Sequence, residues 1–577
     1  MTSANRGPRP NPLELLQEDV RGSIRTGSSV HVQQRRMPPV PPNVLLIMTD
    51  QQRADTLSLR PAGAPHSGYS GAGNPVIQTP NLDRLASEGT RCTRAYVQNP
   101  ICMPSRSTLF TGRYPRSHRV WTNGVPLPTD EITISHMLGA AGYRTASFGK
   151  LHFTPTGASP GLGRYESSQM WRDPAYAEEM ASWHGPYYGL EHVELAIGHN
   201  VPGGHHGAWL RREHPDVLPL FNKDAALKPD SGAHGSWKSA APVELHSSTW
   251  VADRTIAYLR DQITGDAGSS GYSGDANDGG DARPESHTPF FAVCSFPDPH
   301  HPFAPPAPWS EMYDPAAMRL PVRRHGELDD LPPHFAEHAR GAWNRQGPKS
   351  PDYPDGLPDE HLREIIAHYY AMISLVDHNV GRVLDALDTL GLAENTLVIF
   401  TSDHGELLGD HGLLLKGPFL YEGLVRIPML WRLPGRIPAG TVLDAPVGHV
   451  DVAPTVLNLL GLETPLGVQG QSLVPAIAPD TGSAPDVTAL RPWVLTEYRK
   501  GFSPDLSLKQ LHTGRHKLTY YGHDNFGEFF DLHEDPDELH NRFADPAYAD
   551  VRRTLERQLL DALITTEDPL PPQISFA

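Results

Sequence analysis

Three short runs of apolar residues and one mixed stretch that also reads as a strand stand out along the chain, and each closes on ionisable side chains. Asn43-Val44-Leu45-Leu46-Ile47-Met48-Thr49 leads into Asp50-Gln51-Gln52-Arg53, and residues 142–148 lead into Gly149-Lys150-Leu151-His152. Residues 290–296 lead into Pro297-Asp298-Pro299-His300-His301, and residues 396–400 into Thr401-Ser402-Asp403-His404-Gly405-Glu406. Continuous apolar runs of this length predict strands buried on both faces of a parallel sheet. Helical periods lie between them: from Pro80 with Thr79 as cap, over 132–141, over 249–263 and over 359–390. In the last of these, Leu362, Ile365, Ile366, Tyr369, Ile373, Val376, Val380, Val383, Leu384 and Leu387 fall on one stripe, which Gly391 closes. A helix followed by a buried strand is half of a βαβ crossover. The predicted fold class is therefore α/β, a large, mostly parallel sheet with helices on both faces.

The remaining stretches divide the chain. Residues 1–40 read as a flexible leader. Residues 155–245, rich in Gly, Pro, His and Trp, have no period and read as an insertion that shapes a pocket; 265–288 read as a disordered Gly/Ser/Asp loop. From about 490 the pattern changes. Residues 493–498, 516–521 and 528–532 alternate like antiparallel strands, and 551–564 form an amphipathic helix. The expected organisation is a catalytic α/β domain over 41–485 and a smaller C-terminal α+β subdomain over 486–577.

Charge narrows the partners. With 49 Lys+Arg against 67 Asp+Glu the formal net charge is −18, which argues against nucleic acid, whose phosphates need clustered cations. A small anionic substrate remains compatible, because screening leaves the local site to decide. Three cysteines, Cys92, Cys102 and Cys294, are too few for a disulfide framework and suit a reducing compartment. Cys92 and Cys294 read as core residues. No run suits a signal peptide or a membrane span, so the cytoplasm is the expected location. The subunit count stays open, a homo-oligomer included.

The densest chemistry lies at Asn99-Pro100-Ile101-Cys102-Met103-Pro104-Ser105-Arg106, continuing to Thr111-Gly112-Arg113. Pro104 suits a first helical turn and Gly112 a helix end, which places Cys102 at the N-terminus, where negative charge is favoured. Arg106, one turn on, can point at whatever Cys102 touches. A structural thiol beside a surface arginine is the plain alternative. Asp50, Gln51, Lys150, His152, His300, Asp403 and His404 all follow predicted strands, on the edge where open α/β sheets bind ligands. Lys416 lies in the loop after Asp403. Asp and Gln oxygens suit Ca²⁺, whereas the nitrogen of His404 favours Mn²⁺ or Zn²⁺. Taken alone, these residue types leave the presence of a metal open. His301 and His411 read as lying just behind the site residues or as solvated.

Cys-x-Pro-Ser-Arg followed by Thr-Gly-Arg, together with Gly-Lys-x-His at 149–152 and Pro-His-x-Pro at 299–302, resembles the signature of the sulfatases. The similarity runs from about residue 43 into the C-terminal segment, including Gly470-Gln471-Ser472-Leu473. It implies an alkaline phosphatase-like fold and hydrolysis of a small-molecule sulfate ester. It implies also that Cys102 is oxidised to formylglycine by a formylglycine-generating enzyme during maturation. The metal would be held by Asp50, Gln51, Cys102, Asp403 and His404, with Ca²⁺ the first expectation and Mn²⁺ the alternative. Arg106, Lys150, His152, His300 and Lys416 map onto catalytic positions. In this scheme one oxygen of a geminal diol attacks sulfur, His300 or Lys416 serves the leaving group, and His152 acts as base for sulfate release. Gln51 stands where many members have a second Asp, and His404 where many have Asn. Both variants occur in relatives that hydrolyse phosphonate monoesters and phosphate diesters. Those relatives usually lack Gly-Lys-x-His, which favours sulfate here.

Overall fold

The computed structural model describes residues 41–59, 74, 76–157, 164–198, 202–229, 232–233, 235–264, 288–324, 326–328, 331–339, 357–480, 483–499, 506–522 and 526–568. The expected leader (1–40) and nearly all of the expected loop over 265–288 lie outside the described residues.

The four predicted strands form as β1 (Asn43–Thr49), β3 (Arg144–Gly149), β5 (Phe290–Ser295) and β6 (Thr396–Ser402). Sequence reading missed β2 (Thr90–Tyr96), β4 (His192–Ile197), β7 (Arg426–Arg432), β8 (Thr441–Leu443) and β9 (Val447–Gly448). All nine join one sheet in the order β4-β3-β5-β1-β6-β7-β2-β8, with β9 also paired to β2. Only β7 runs against the rest, antiparallel to β6 and β2. Its Pro428 is what hides it in the sequence. Proline cannot donate to a ladder, and here it faces the register shift between Cys92 and Ala95 of β2, where the ladder is already interrupted. β4 belongs to the aperiodic insertion, which thereby contributes an edge strand.

β1 shows why the central runs are continuously apolar. Val44, Leu46 and Met48 enter one core, whereas Leu45 and Ile47 enter another on the opposite face. The helix Cys102–Thr111 packs Met103, Leu109 and Phe110 on the first face, and Ser247–Thr264 covers the second. The 31-residue helix Asp359–Thr389 divides its predicted stripe. Val376, Val380, Val383, Leu384 and Leu387 cover the sheet, but Leu362, Ile365, Ile366, Tyr369 and Ile373 pack on loops through Phe303, Leu408 and Leu415. Its Asp377 accepts from the backbone N–H groups of Asn81 (3.1 Å) and Leu82 (2.7 Å). Asp377 thus caps the helix Pro80–Ser87, whose expected cap, Thr79, turns its hydroxyl toward Asp83 instead.

A second, antiparallel sheet has the order β10 (Val494–Arg499), β11 (Ser507–His512), β12 (His516–Gly522) and β13 (Gly527–Asp531), covered by the helix Ala549–Thr565. β11 was not predicted; Ser507, Lys509 and Gln510 break its apolar pattern. β10 lies against the loop that precedes Cys102, because Glu497 N donates to Gln98 O (2.8 Å) and Asn99 Nδ2 donates to Glu497 O (2.8 Å).

Candidate active site

Register brings the strand ends level. Met48 of β1 faces Ser295 of β5 and Thr401 of β6, while Ser295 faces Gly149 of β3. The residues just beyond, Asp50, Lys150 and Asp403, therefore emerge along one edge. Gly149 has φ +107°, and a Cβ there would lie 1.9 Å from Ser295 O, so the backbone approach that delivers Lys150 requires glycine.

The helix of Cys102 begins at that residue and ends at Gly112, which has φ +66° in the left-handed region, as predicted. Cys102 Sγ lies 3.1 Å from Lys416 Nζ, 3.2 Å from His404 Nε2 and 3.9 Å from Asp50 Oδ1. Arg106 Nε donates to Asp403 Oδ2 (2.7 Å), and its Nη1 donates to Lys150 O (2.7 Å) and Ser295 Oγ (3.0 Å). Its Nη2 lies 3.7 Å from Asp50 Oδ2 and makes no hydrogen bond among the described residues, although Arg106 is only 1% exposed. A buried donor of this kind is left for an added anion. Lys150 Nζ pairs with Asp50 Oδ2. Burial and Asp50 push the Cys102 thiol up, but Lys416, Lys150 and His404 outweigh them and hold it well below the usual thiol range. Cys92 and Cys294, buried among apolar neighbours, are pushed up to about 12. Of the three thiols, the site's charges activate one.

Gln51 sits at φ +72°, held by Tyr369, whose hydroxyl donates to Gln51 O (2.7 Å) and accepts from Arg53 N (3.0 Å). Its amide is fully engaged. Oε1 accepts from Lys416 Nζ (2.9 Å), while Nε2 donates to Glu406 Oε2 and to His301 Nδ1 (3.3 Å). Burial and Lys416 bring His301 down to about 3, so its ring is neutral and Nδ1 can accept. His404 Nδ1 donates to Gly405 O (2.8 Å), which turns Nε2 toward Cys102 and Lys416.

These donors fit a divalent cation. Ligand atoms of Asp50, Cys102, Asp403 and His404 all lie within 4.8 Å of one another, and the amide oxygen of Gln51 reaches the same Lys416 Nζ. Two carboxylates, an amide oxygen and one imidazole nitrogen form a hard, mainly oxygen set. Among the described residues a second group, His184, His192 and Glu194, also meets in space. Its carboxylate is already committed to Arg254 through bonds of 2.6 and 2.8 Å.

The structure thus gathers Asp50, Gln51, Cys102, Arg106, Lys150, Asp403, His404 and Lys416. The polar contacts of His152 run to the insertion. The ring of His300 stacks on His301 (centroids 4.1 Å apart), and its Nδ1 donates to His301 O (2.5 Å). His301, expected either just behind the site or in solvent, stands just behind it, against Gln51. His411, read as just behind the site or solvated, is buried, paired with Glu327 and stacked on Tyr421 at 3.7 Å. Sequence reading also assigned no role to Glu406, two residues beyond His404. It missed His449, which bridges Ser105 Oγ and Thr401 Oγ1 at 3.1 Å each.

A mostly parallel sheet whose aligned ends gather carboxylates, cations and an activated nucleophile position defines a hydrolase of the alkaline phosphatase superfamily. The chain belongs to the sulfatase family, whose model matches residues 42–227 and 276–462, and it acts on sulfuric ester bonds. Residues 409–564 match the C-terminal family of N-sulphoglucosamine sulphohydrolase. The phosphonate monoester hydrolase of Agrobacterium radiobacter is similar in structure, with a TM-score of 0.69 and 28% identity, covering 91% of this chain and 96% of that one. The multifunctional alkaline phosphatase superfamily protein PehA of Trinickia caryophylli is 30% identical over 91% of this chain and 96% of its own length. An arylsulfatase of Clostridium perfringens is 28% identical over 91% and 95%, respectively.

Proposed function

We propose that the protein cleaves an organic sulfate monoester, as an arylsulfatase does, at Cys102 converted to formylglycine. The observation that carries this reading is Cys102 Sγ at a helix N-terminus, 3.1 Å from Lys416 Nζ and 3.2 Å from His404 Nε2. Asp50, Gln51, Asp403 and His404, with the group at Cys102, would hold Ca²⁺, or Mn²⁺ as the alternative. The cation supplies Lewis-acid polarisation. The hydrated formylglycine supplies an oxygen nucleophile and a second hydroxyl through which sulfate departs; an unmodified thiol offers no such exit. Arg106 Nη2, Lys150 and Lys416 orient the sulfate and neutralise charge on its oxygens, each preorganised donor contributing roughly 2.7–4 kcal/mol. His300 or Lys416 protonates the departing oxygen, and His152 takes the proton that frees sulfate. The Clostridium arylsulfatase supports the aryl preference. The three unlinked, buried cysteines support a reducing compartment, the cytoplasm. Maturation would then need a formylglycine-generating enzyme there.

A second reading, hydrolysis of phosphonate monoesters or phosphate diesters, draws support from Gln51 and His404 and from the Agrobacterium hydrolase. Turnover of nitrophenyl sulfate against the nitrophenyl ester of phenylphosphonate separates the two. The sulfate ester is expected to have the higher kcat/KM; the reverse order overturns the first reading. Peptide mass across Cys102 completes the test. An aldehyde is expected, and a persistent thiol would instead mark an inactive, anion-binding relative.

A further inference from the structure

His152 holds a conformation that its own sequence does not favour. Its φ is +63°, a left-handed value uncommon among non-glycine residues, and here the surroundings hold it. It is 8% exposed, and its Nδ1 has no hydrogen-bond partner among the described residues, so one ring nitrogen stays unengaged. What imposes the turn is Glu166, a residue of the insertion that is 2% exposed. Glu166 Oε2 accepts from His152 N, and Oε1 accepts from Phe153 N (2.7 Å), Thr154 N (3.0 Å) and the Tyr187 hydroxyl (2.9 Å). Three successive backbone N–H groups turned to one side form an anion-binding nest, and here a carboxylate of the same chain fills it. Phe153 is packed between Phe110 and Tyr188, so the turn is anchored on both sides.

We propose that Glu166 is a positioning residue for His152: by filling the nest at 152–154 it fixes the backbone from which the imidazole reaches the substrate. The inference rests on the reading of His152 as the base for sulfate release. It gives the insertion a defined task, since Glu166 and Tyr187 are both supplied by it. Without the carboxylate, three N–H groups lose their acceptor and φ at 152 loses its constraint.

The test is a double-variant cycle on the full-length protein with nitrophenyl sulfate, using E166A, E166Q, H152A and H152A/E166A. Both Glu166 variants are expected to lose kcat/KM by about 10²-fold, mostly in kcat, as a shift of the order of 1 Å can cause. The double variant should fall within about threefold of H152A, because residues acting as one unit are not additive. Formate, small enough to enter the vacated nest, should restore part of the turnover of E166A and none of that of H152A/E166A. E166Q keeps the side-chain volume and serves if E166A does not fold. Losses that multiply in the double variant, or Glu166 variants within about threefold of wild type, overturn the proposal. A crystal structure of E166Q gives a readout independent of turnover: His152 is expected to leave the left-handed region, and an unmoved His152 also overturns it. Failure of wild-type turnover would count against the sulfatase reading instead, so the two failures are distinct.

Discussion

Arg106 Nε donates to Asp403 Oδ2 at 2.7 Å, which ties the helix of Cys102 to the end of β6. Both residues are buried, at 1% and 0% exposure. The nucleophile position and the carboxylate pair are therefore one rigid unit, and their separation is set before any substrate arrives.

Removing that cation leaves Asp403 and Asp50 facing one another with less compensation. Arg106→Ala is expected to lower kcat/KM by about 10²–10³-fold and stability by about 3–5 kcal/mol. Arg106→Lys keeps the charge but loses the fork that reaches Asp403, Lys150 O and Ser295 together, so activity should fall while stability falls less. Steady-state kinetics and urea unfolding measure both.

Chelation should act through the same carboxylates. EDTA is expected to abolish turnover and to lower the melting temperature, and added Ca²⁺ or Mn²⁺ should restore both. A ligand at 100 times its Kd stabilises by about 2.7 kcal/mol, a shift that thermal scanning resolves. Turnover unaffected by exhaustive chelation would refute the cation site.

Gln51 is not interchangeable with the aspartate that many sulfatases carry there. Its Nε2 donates to Glu406, whose carboxyl is raised above its ordinary value by burial. Gln51→Asp sets two buried carboxylates against each other, so kcat/KM should fall by about tenfold or more, in keeping with the cost of an uncompensated buried charge. Adding Glu406→Gln should recover part of the loss, which the double variant checks.

The pair formed by Glu194 and Arg254 predicts a pH dependence of stability remote from catalysis. Burial pushes the Glu194 carboxyl up, but bonds from His192 and Arg254 outweigh it and bring it down to about 2. A carboxyl lowered on folding stabilises above its unfolded value of 4.5, and that contribution is lost as the pH falls toward 2. The shift corresponds to about 3 kcal/mol. Glu194→Gln should therefore unfold more readily than wild type at pH 7, and the gap should narrow between about pH 5 and 3, as melting curves across that range would show.

β1, β5 and β6 were legible because each sends side chains into two cores and is apolar over its centre, whereas β3, with Arg144, Thr145 and Ser147, sends only Ala146 and Phe148 into one of them. β7 was not legible, because Pro428 is admissible only where β2 carries its register shift, a property of the partner strand. Cys102, Arg106, Asp50 and Asp403 were legible from their motifs and from the strand-end rule. Glu166 and His449 were not, since each acts by holding a neighbour through contacts that sequence spacing does not encode. Thr79 was assigned the cap that Asp377 provides, 298 positions further along, for the same reason.

The embrace of residues 97–99 by β10 also sets an order of events. The strand that holds the loop before Cys102 leaves the ribosome roughly four hundred residues after the cysteine does, and in the folded chain Cys102 is 1% exposed. An enzyme that alters Cys102 is therefore expected to find it more accessible in the nascent chain than in the folded protein.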